Sequence, residues 1–279
     1  MVQIDLLDAL RPVRLNVPDR DGRFFVLVEA SDGCIYQVKF NTPNTTSNQN
    51  EFIGYMIAKE CGVPAIDGAL LKIDKTVFDS IINRVSKYKV VPPVDIYRQN
   101  IMFGVLWKDV SVTPQTNEQL SVMIDGCRNK QSFYSIFPYD QYLRNYDRQP
   151  FNHLILLEGA NRKPTFYAAI DTDRIFGNLN WDRAAYEKEL YDCFHESFHD
   201  FLYSLIDDSS FTNIFRSAGK IDCIPDDYLH NIVDTVDRLY VCDNDKLAII
   251  REFLVDRKVQ IIDKCAKALC FKNVRQKGL

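Results

Sequence analysis

NYDRQPFN, from Asn145 to Asn152, and FYAAIDTDRIFG, from Phe166 to Gly177, decide how this sequence is read. Between and within them, Asn152 to Leu157 (NHLILL) and Thr165 to Ile170 (TFYAAI) are short apolar runs around the polar turn EGANRKP. That pattern predicts two strands joined as a hairpin. Antiparallel strands bring their outer ends together, so Asp147, Asn152 and Asp171 are expected at one edge. Phosphoryl transfer uses such parts: a carboxylate beside the attacking hydroxyl, and oxygen ligands for Mg²⁺ against the phosphates. Taken singly, each is equally an ordinary turn residue, because Asn and Asp favour loops.

Working outward, the first third of the chain reads as strand-rich. Phe24 to Ala30 (FFVLVEA) and Cys34 to Phe40 (CIYQVKF) flank a turn at Ser31 to Gly33, a hairpin signal. The polar stretch NTPNTTSNQN follows, and then a helix, EFIGYMIAKEC, with Asn48 as its expected N-cap and Gly62 as its stop. Lys39 sits inside an apolar strand and Glu51 opens that helix. A Lys paired with a helix Glu and reaching nucleotide phosphates is the other half of a kinase-type site. Alone, Lys39 is also an exposed edge-strand residue and Glu51 a capping-box residue. Ile66 to Ile73 and Ile101 to Trp107 read as further strands, with a short helix from Thr76 to Arg84. Beyond about residue 116 the pattern turns helical: Asn117 to Cys127, Ser132 to Leu143, Asp182 to Ile206, Asp226 to Tyr240 and Asp243 to Phe271.

In this order, YQVKF (Tyr36 to Phe40), NEFIGYMIAKECGVP (Asn50 to Pro64), NYDRQPFN and FYAAIDTDRIFG resemble the HipA-like kinases, in particular their short stand-alone branch. The resemblance spans roughly residues 24–180. It implies a protein-kinase-like fold that transfers the γ-phosphate of ATP to a Ser or Thr. Asp147 would be the catalytic base, Asn152 and Asp171 the Mg²⁺ ligands, Lys39 the phosphate contact, and Glu51 the partner that holds Lys39. The branch often has His after the Asp-Arg pair, where this chain has Gln149 and Pro150. Lys39 comes too early for the extra N-terminal subdomain of longer HipA proteins, so their antitoxin and operator roles are not carried over. No plain Gly-rich loop is visible. Phosphate cradling then falls to the turn at Asp32 and Gly33 or to Asn41 to Asn50.

Composition bounds the alternatives. The 279 residues are 46% hydrophobic and 26% charged, the mix of a folded protein, with 34 Lys plus Arg against 38 Asp plus Glu. A net charge of −4 disfavours a nucleic-acid binder except through the basic C-terminal helix, where residues 246–279 hold nine Lys or Arg against three acids. Eight scattered cysteines without a C-x-x-C pair, no signal-peptide pattern and no long apolar run predict a reduced cytoplasmic protein. His195, Glu196 and His199 match H-E-x-x-H on a predicted helix, the spacing of a zinc hydrolase, but no good third ligand follows. The expectation is therefore an α+β, bilobal protein-kinase-like fold. A β-rich N-lobe would cover residues 1–107 and a helical C-lobe residues 108–279. The expected activity is ATP- and Mg²⁺-dependent phosphorylation of a protein hydroxyl. A nucleotide-binding pseudokinase or scaffold that regulates a partner is the alternative, and a zinc hydrolase the third.

Overall fold

The structure is a computed structural model describing residues 3–16, 24–40, 45–88, 100–145, 147–177, 181–183, 197–240 and 242–276. It begins with a strand that the sequence reading omits, β1 (Leu6–Leu15). Its alternation is blurred by register shifts between Ala9 and Arg11 and between Pro12 and Arg14. Pro12 is tolerated because β1 meets its second neighbour only over Leu6 to Asp8.

The expected hairpin forms as β2 (Phe24–Ala30) and β3 (Ile35–Phe40), paired in unbroken register from Phe24 with Phe40 to Glu29 with Ile35. β4 (Gly68–Lys72) and β5 (Ile101–Leu106) complete the set. The order is β1-β2-β3-β5-β4, and β4 runs parallel to β1, so the strands close into a barrel rather than an open sheet. Val26, Val28, Val38 and Leu71 are fully buried in it.

α1 (Ser47–Cys61) buries Phe52, Ile53, Met56 and Ile57 and ends, as expected, at Gly62, whose φ of 70° suits a residue without a Cβ. Its start differs from the expectation. Thr46 is the N-cap residue, and Asn48 lies within the first turn. The Asn48 amide reaches instead to β5, accepting the Phe103 N–H at 2.9 Å and donating to the Phe103 carbonyl at 2.8 Å. The Tyr240 hydroxyl also donates to Asn48 Oδ1. A cap needs only an acceptor, whereas this bond pair needs an amide. Asn48→Asp, which keeps the acceptor, is therefore expected to cost as much as Asn48→Ala, about 1–3 kcal/mol. The measurement is the urea midpoint, with the slope unchanged. An Asp variant as stable as the wild type would restore the cap reading.

α2 (Lys75–Val85) is capped by Asp74, which accepts the Val77 N–H. After it, β6 (Ser111–Val112), β7 (His153–Glu158) and β8 (Lys163–Ala169) form a three-stranded sheet in that order, the embedded hairpin carrying a short extra edge. The helices are α3 (Asn117–Asp125), α4 (Ile136–Leu143), α5 (Ser197–Leu205), α6 (Asp208–Asp222), α7 (Asp226–Leu239), α8 (Asn244–Lys258) and α9 (Ile261–Gln276). α6 has no counterpart in the sequence reading. The single helix expected from Asp243 to Phe271 breaks between Lys258 and Ile261. Part of its basic face is spent at that break. Arg257 donates to the carbonyls of Gln141 and Tyr142, and Lys258 to that of Ile224. No described helix is long and apolar enough to cross a membrane.

The two regions are stitched together next to the hairpin. The Ala169 N–H donates to the Pro64 carbonyl at 2.8 Å, and Ala65 bridges to Ala169. The end of α1 therefore fixes the end of β8, from which Asp171 follows.

Candidate active site

Alternation along β3 buries Val38 and Phe40 and turns Lys39 to the other face, where it meets α1. Lys39 Nζ lies 2.6 Å from Glu51 Oε1, 2.6 Å from Asp171 Oδ1 and 4.0 Å from Asp173 Oδ2. Residues from three elements thus converge on one ammonium. Burial alone would lower the Lys39 pKa, but the surrounding carboxylates of Asp171, Glu51 and Asp173 outweigh it and hold it well above its ordinary value. Burial likewise opposes ionisation of Asp171, and the adjacent Lys39 wins, keeping that carboxyl below the usual range. Asp173 goes the other way. Burial, reinforced by the neighbouring Asp171 and Glu51 charges, pushes it up to about 7 against the pull of Lys39.

The first turn of α1 builds this arrangement with side chains that a helix start would normally leave in water. Ser47, Asn48, Gln49, Asn50 and Glu51 are all buried. Ser47 Oγ donates to Asp173 Oδ2, and Asn50 Nδ2 donates to the Asp173 carbonyl while Asn50 Oδ1 accepts the Trp181 N–H. Glu51 Oε1 accepts the Thr172 N–H at 3.1 Å. Gly54 lets the helix come this close, since a Cβ there would stand 2.5 Å from Thr172 Oγ1. The turn so gripped is strained: Asp171 has φ 63°, a region that suits few side chains.

Asp147 and Asn152 are set by a second device. Arg148, fully buried, makes a two-pronged bond to Asp140 at 2.9 and 2.8 Å. It also donates to the carbonyls of Asn152 and Ile170 at 3.1 and 2.6 Å. One guanidinium therefore ties the residue after Asp147 to the start of β7 and to the residue before Asp171. Asp147 itself is partly exposed, with Arg174 Nε 3.3 Å from its Oδ2. The backbone of Asn152 lies beside the Asp171 strand, as antiparallel pairing predicts, its carbonyl accepting the Ile170 N–H. Its side chain is turned inward: Oδ1 accepts the Gln149 N–H at 3.0 Å, and the residue is 2% exposed.

Two cavities meet at Lys39 and Asp171. One, about 290 Å³, is largely apolar, with Ile66, Phe103, Val105, Leu106 and Leu154 in its walls. The other, about 400 Å³ and more open, has Asp147, Asp173, Arg174, Ser47 and Phe151. An elongated ligand with a flat apolar end and an anionic tail fits this shape, the tail crossing Lys39 towards Asp147. Asn152, being buried, is in neither wall, and Asp32 in the expected cradle turn instead accepts bonds from Cys34 and Tyr36. Residues 41–44 of the other expected cradle lie outside the described residues.

Lys39, Glu51 and Asp171 are thus brought together, Asp147 shares a cavity with two of them, and Asn152 stands behind. Asp173, Arg174 and the Asp140–Arg148 pair have no role in the sequence reading. The signal for Asp173 was its spacing from Asp171, two carboxylates two residues apart on an apolar strand's exit. His195 and Glu196 lie outside the described residues, and His199 falls in α5. Among the described residues no group of three or more His, Cys, Asp or Glu side chains could hold a metal ion.

No protein-family profile and no curated protein sequence matches the chain. Solved structures do. The Helicobacter pylori proinflammatory kinase CtkA matches over 94% of this chain and 98% of its own, at 14% identity and a TM-score of 0.59. HipA of the Shewanella oneidensis toxin–antitoxin system, solved with HipB and operator DNA, matches over 95% of this chain and 67% of its own, at 13% identity and a TM-score of 0.46. Likeness at this identity speaks to architecture alone, and the chain shares the fold of the CtkA kinase.

Proposed function

We propose that the protein is an ATP- and Mg²⁺-dependent kinase that phosphorylates a Ser or Thr hydroxyl of a protein. The observation that carries this reading is the Lys39–Glu51–Asp171 network at the junction of an apolar cavity and a charged one. The barrel and α1 act as an N-lobe, residues 1–107, and the remainder as a C-lobe, with the nucleotide between them. The purine occupies the apolar cavity, and the phosphates lie along Lys39. Asp147 orients the acceptor hydroxyl and takes its proton as the oxygen bonds to the γ-phosphorus and ADP departs. Glu51 keeps Lys39 aimed at the phosphates.

Mg²⁺, when bound, neutralises phosphate charge. The Asp171 carboxylate suits such a hard cation, being at the cavity junction. Asn152 would join it only if its buried side chain, now bonded to the Gln149 N–H, turned towards the cavity.

The test is incubation with γ-labelled ATP and Mg²⁺, followed by transfer to the protein itself and to cell extract. Wild type is expected to transfer label, and Asp147→Ala to lose about 10²-fold or more while still binding nucleotide. Asp171→Ala should lose transfer as well. Nucleotide binding without transfer by the wild type would make the chain a pseudokinase. No nucleotide binding at all would end the kinase reading.

A further inference from the structure

We infer that Arg174 is the residue that holds the terminal phosphate of the nucleotide, a charge-stabilising arginine supplied within the chain. The inference deepens the kinase reading and rests on it. Three observations lead here.

The first is a charge count at the cavity where transfer would occur. Among the described residues in its walls, the cations are Lys39 and Arg174, facing Asp147, Asp171 and Asp173. Lys39 is already shared between Glu51 and Asp171. A terminal phosphate brought up to Asp147 meets a carboxylate of its own sign, so the approach needs a cation at that end of the cavity. The second observation removes the obvious candidate. Arg148, next to Asp147 in sequence, is fully buried and committed to Asp140 and to two carbonyls. Arg174 is what remains there.

The third is how Arg174 is mounted. Its neighbours on either side are anchored: Asp173 accepts bonds from Ser47 and Asn50, and Ile175 is fully buried with its N–H on the Thr172 carbonyl. The side chain itself is about a third exposed, at 35%. A fixed base with a movable head is what a phosphate ligand requires. Without nucleotide the guanidinium rests on Asp147. With a phosphate present it can bridge the two anions, since its fork offers donors to both. During transfer the bond from the γ-phosphorus to the β–γ bridging oxygen breaks, and the new bond to the acceptor oxygen forms. The acceptor's proton passes to Asp147 and ADP leaves. The charge spread over the three equatorial oxygens in between is what Arg174 offsets.

The distinguishing readout is the ratio of affinities for two probes, ADP and the β,γ-imido analogue of ATP, titrated with Mg²⁺ by calorimetry. Arg174→Ala is expected to weaken the imido triphosphate at least tenfold and to leave ADP within twofold. Slow transfer of the γ-phosphate to water, which needs no identified acceptor, should fall by about 10²–10³-fold. Arg174→Lys, which keeps the charge and loses the fork, should recover only part of either loss. Equal effects on ADP and the triphosphate, no effect on either, or faster transfer in Arg174→Ala would each overturn the inference while leaving the kinase reading in place. Failure of the wild type to bind ADP would overturn both.

Discussion

Replacing Arg148 with methionine is expected to destabilise the protein by about 3–5 kcal/mol, the cost of leaving one member of a buried ion pair alone. Asp140 and Arg148 have no exposed side-chain surface, so water cannot take over the lost bonds. Burial already raises the Asp140 pKa against the pull of the guanidinium, and without Arg148 that carboxyl will bind a proton rather than stay charged. The carbonyls of Asn152 and Ile170 lose a donor at the same time. The urea midpoint should fall, and nucleotide binding should weaken in whatever fraction remains folded, because Asp147 and Asp171 lose their common tie. The double variant Asp140→Leu with Arg148→Met is the control, since it removes the stranded charge. It should regain a large part of the stability and little of the transfer activity. If the single variant unfolds within about 1 kcal/mol of wild type, the pair is not the clasp described.

Lys39→Met should have the largest effect on chemistry: transfer from ATP falls by about 10³-fold, as expected when a positioned cation is removed from developing phosphate charge. It also carries a pH signature. In the wild type, the Lys39 attraction keeps the Asp171 carboxyl below its ordinary value, so its contribution to stability is present above that value and lost as pH falls. Without Lys39, burial at Asp171 loses its main opponent, leaving only Arg148 and the bond to Asp173 against it, and the Asp171 pKa rises alongside that of Asp173. The folded state then retains protons that the unfolded chain has released, and stability drops as pH rises. The deficit in melting temperature relative to wild type should therefore widen between about pH 5 and about pH 8. A deficit that is constant over that range would mean the carboxylates do not depend on Lys39.

Lys39, Asp147 and Asp171 were legible because each breaks a local pattern: a charge in an apolar strand, or acids at the two mouths of a hairpin. Glu51 was legible only by its place, opening the helix that follows the Lys39 strand. Asn48 was misread for the opposite reason. It fits a local pattern well, an amide three residues before a Glu, while its actual partner Phe103 lies 55 residues away. Arg148 is hidden in the same manner, since a loop arginine beside an acid gives no sign of being fully buried. Backbone placement was easier to foresee than side-chain direction. Asn152 is beside the Asp171 strand as pairing predicts, yet its amide faces Gln149. The strands β2 and β3 follow from propensity and a turn. β1 does not, because its irregular pairing and its parallel contact with β4 are tertiary facts.

That parallel contact has a consequence for how the chain tolerates being shortened. A closed ring of strands offers no open row of amides and carbonyls to another molecule. Removing the first sixteen residues would strip β1 and leave β2 and β4 with bare flanks, each able to recruit a strand from a second copy. A truncated protein is thus expected to self-associate on sizing columns and to aggregate on mild warming, even though Lys39, Glu51, Asp147 and Asp171 are all retained.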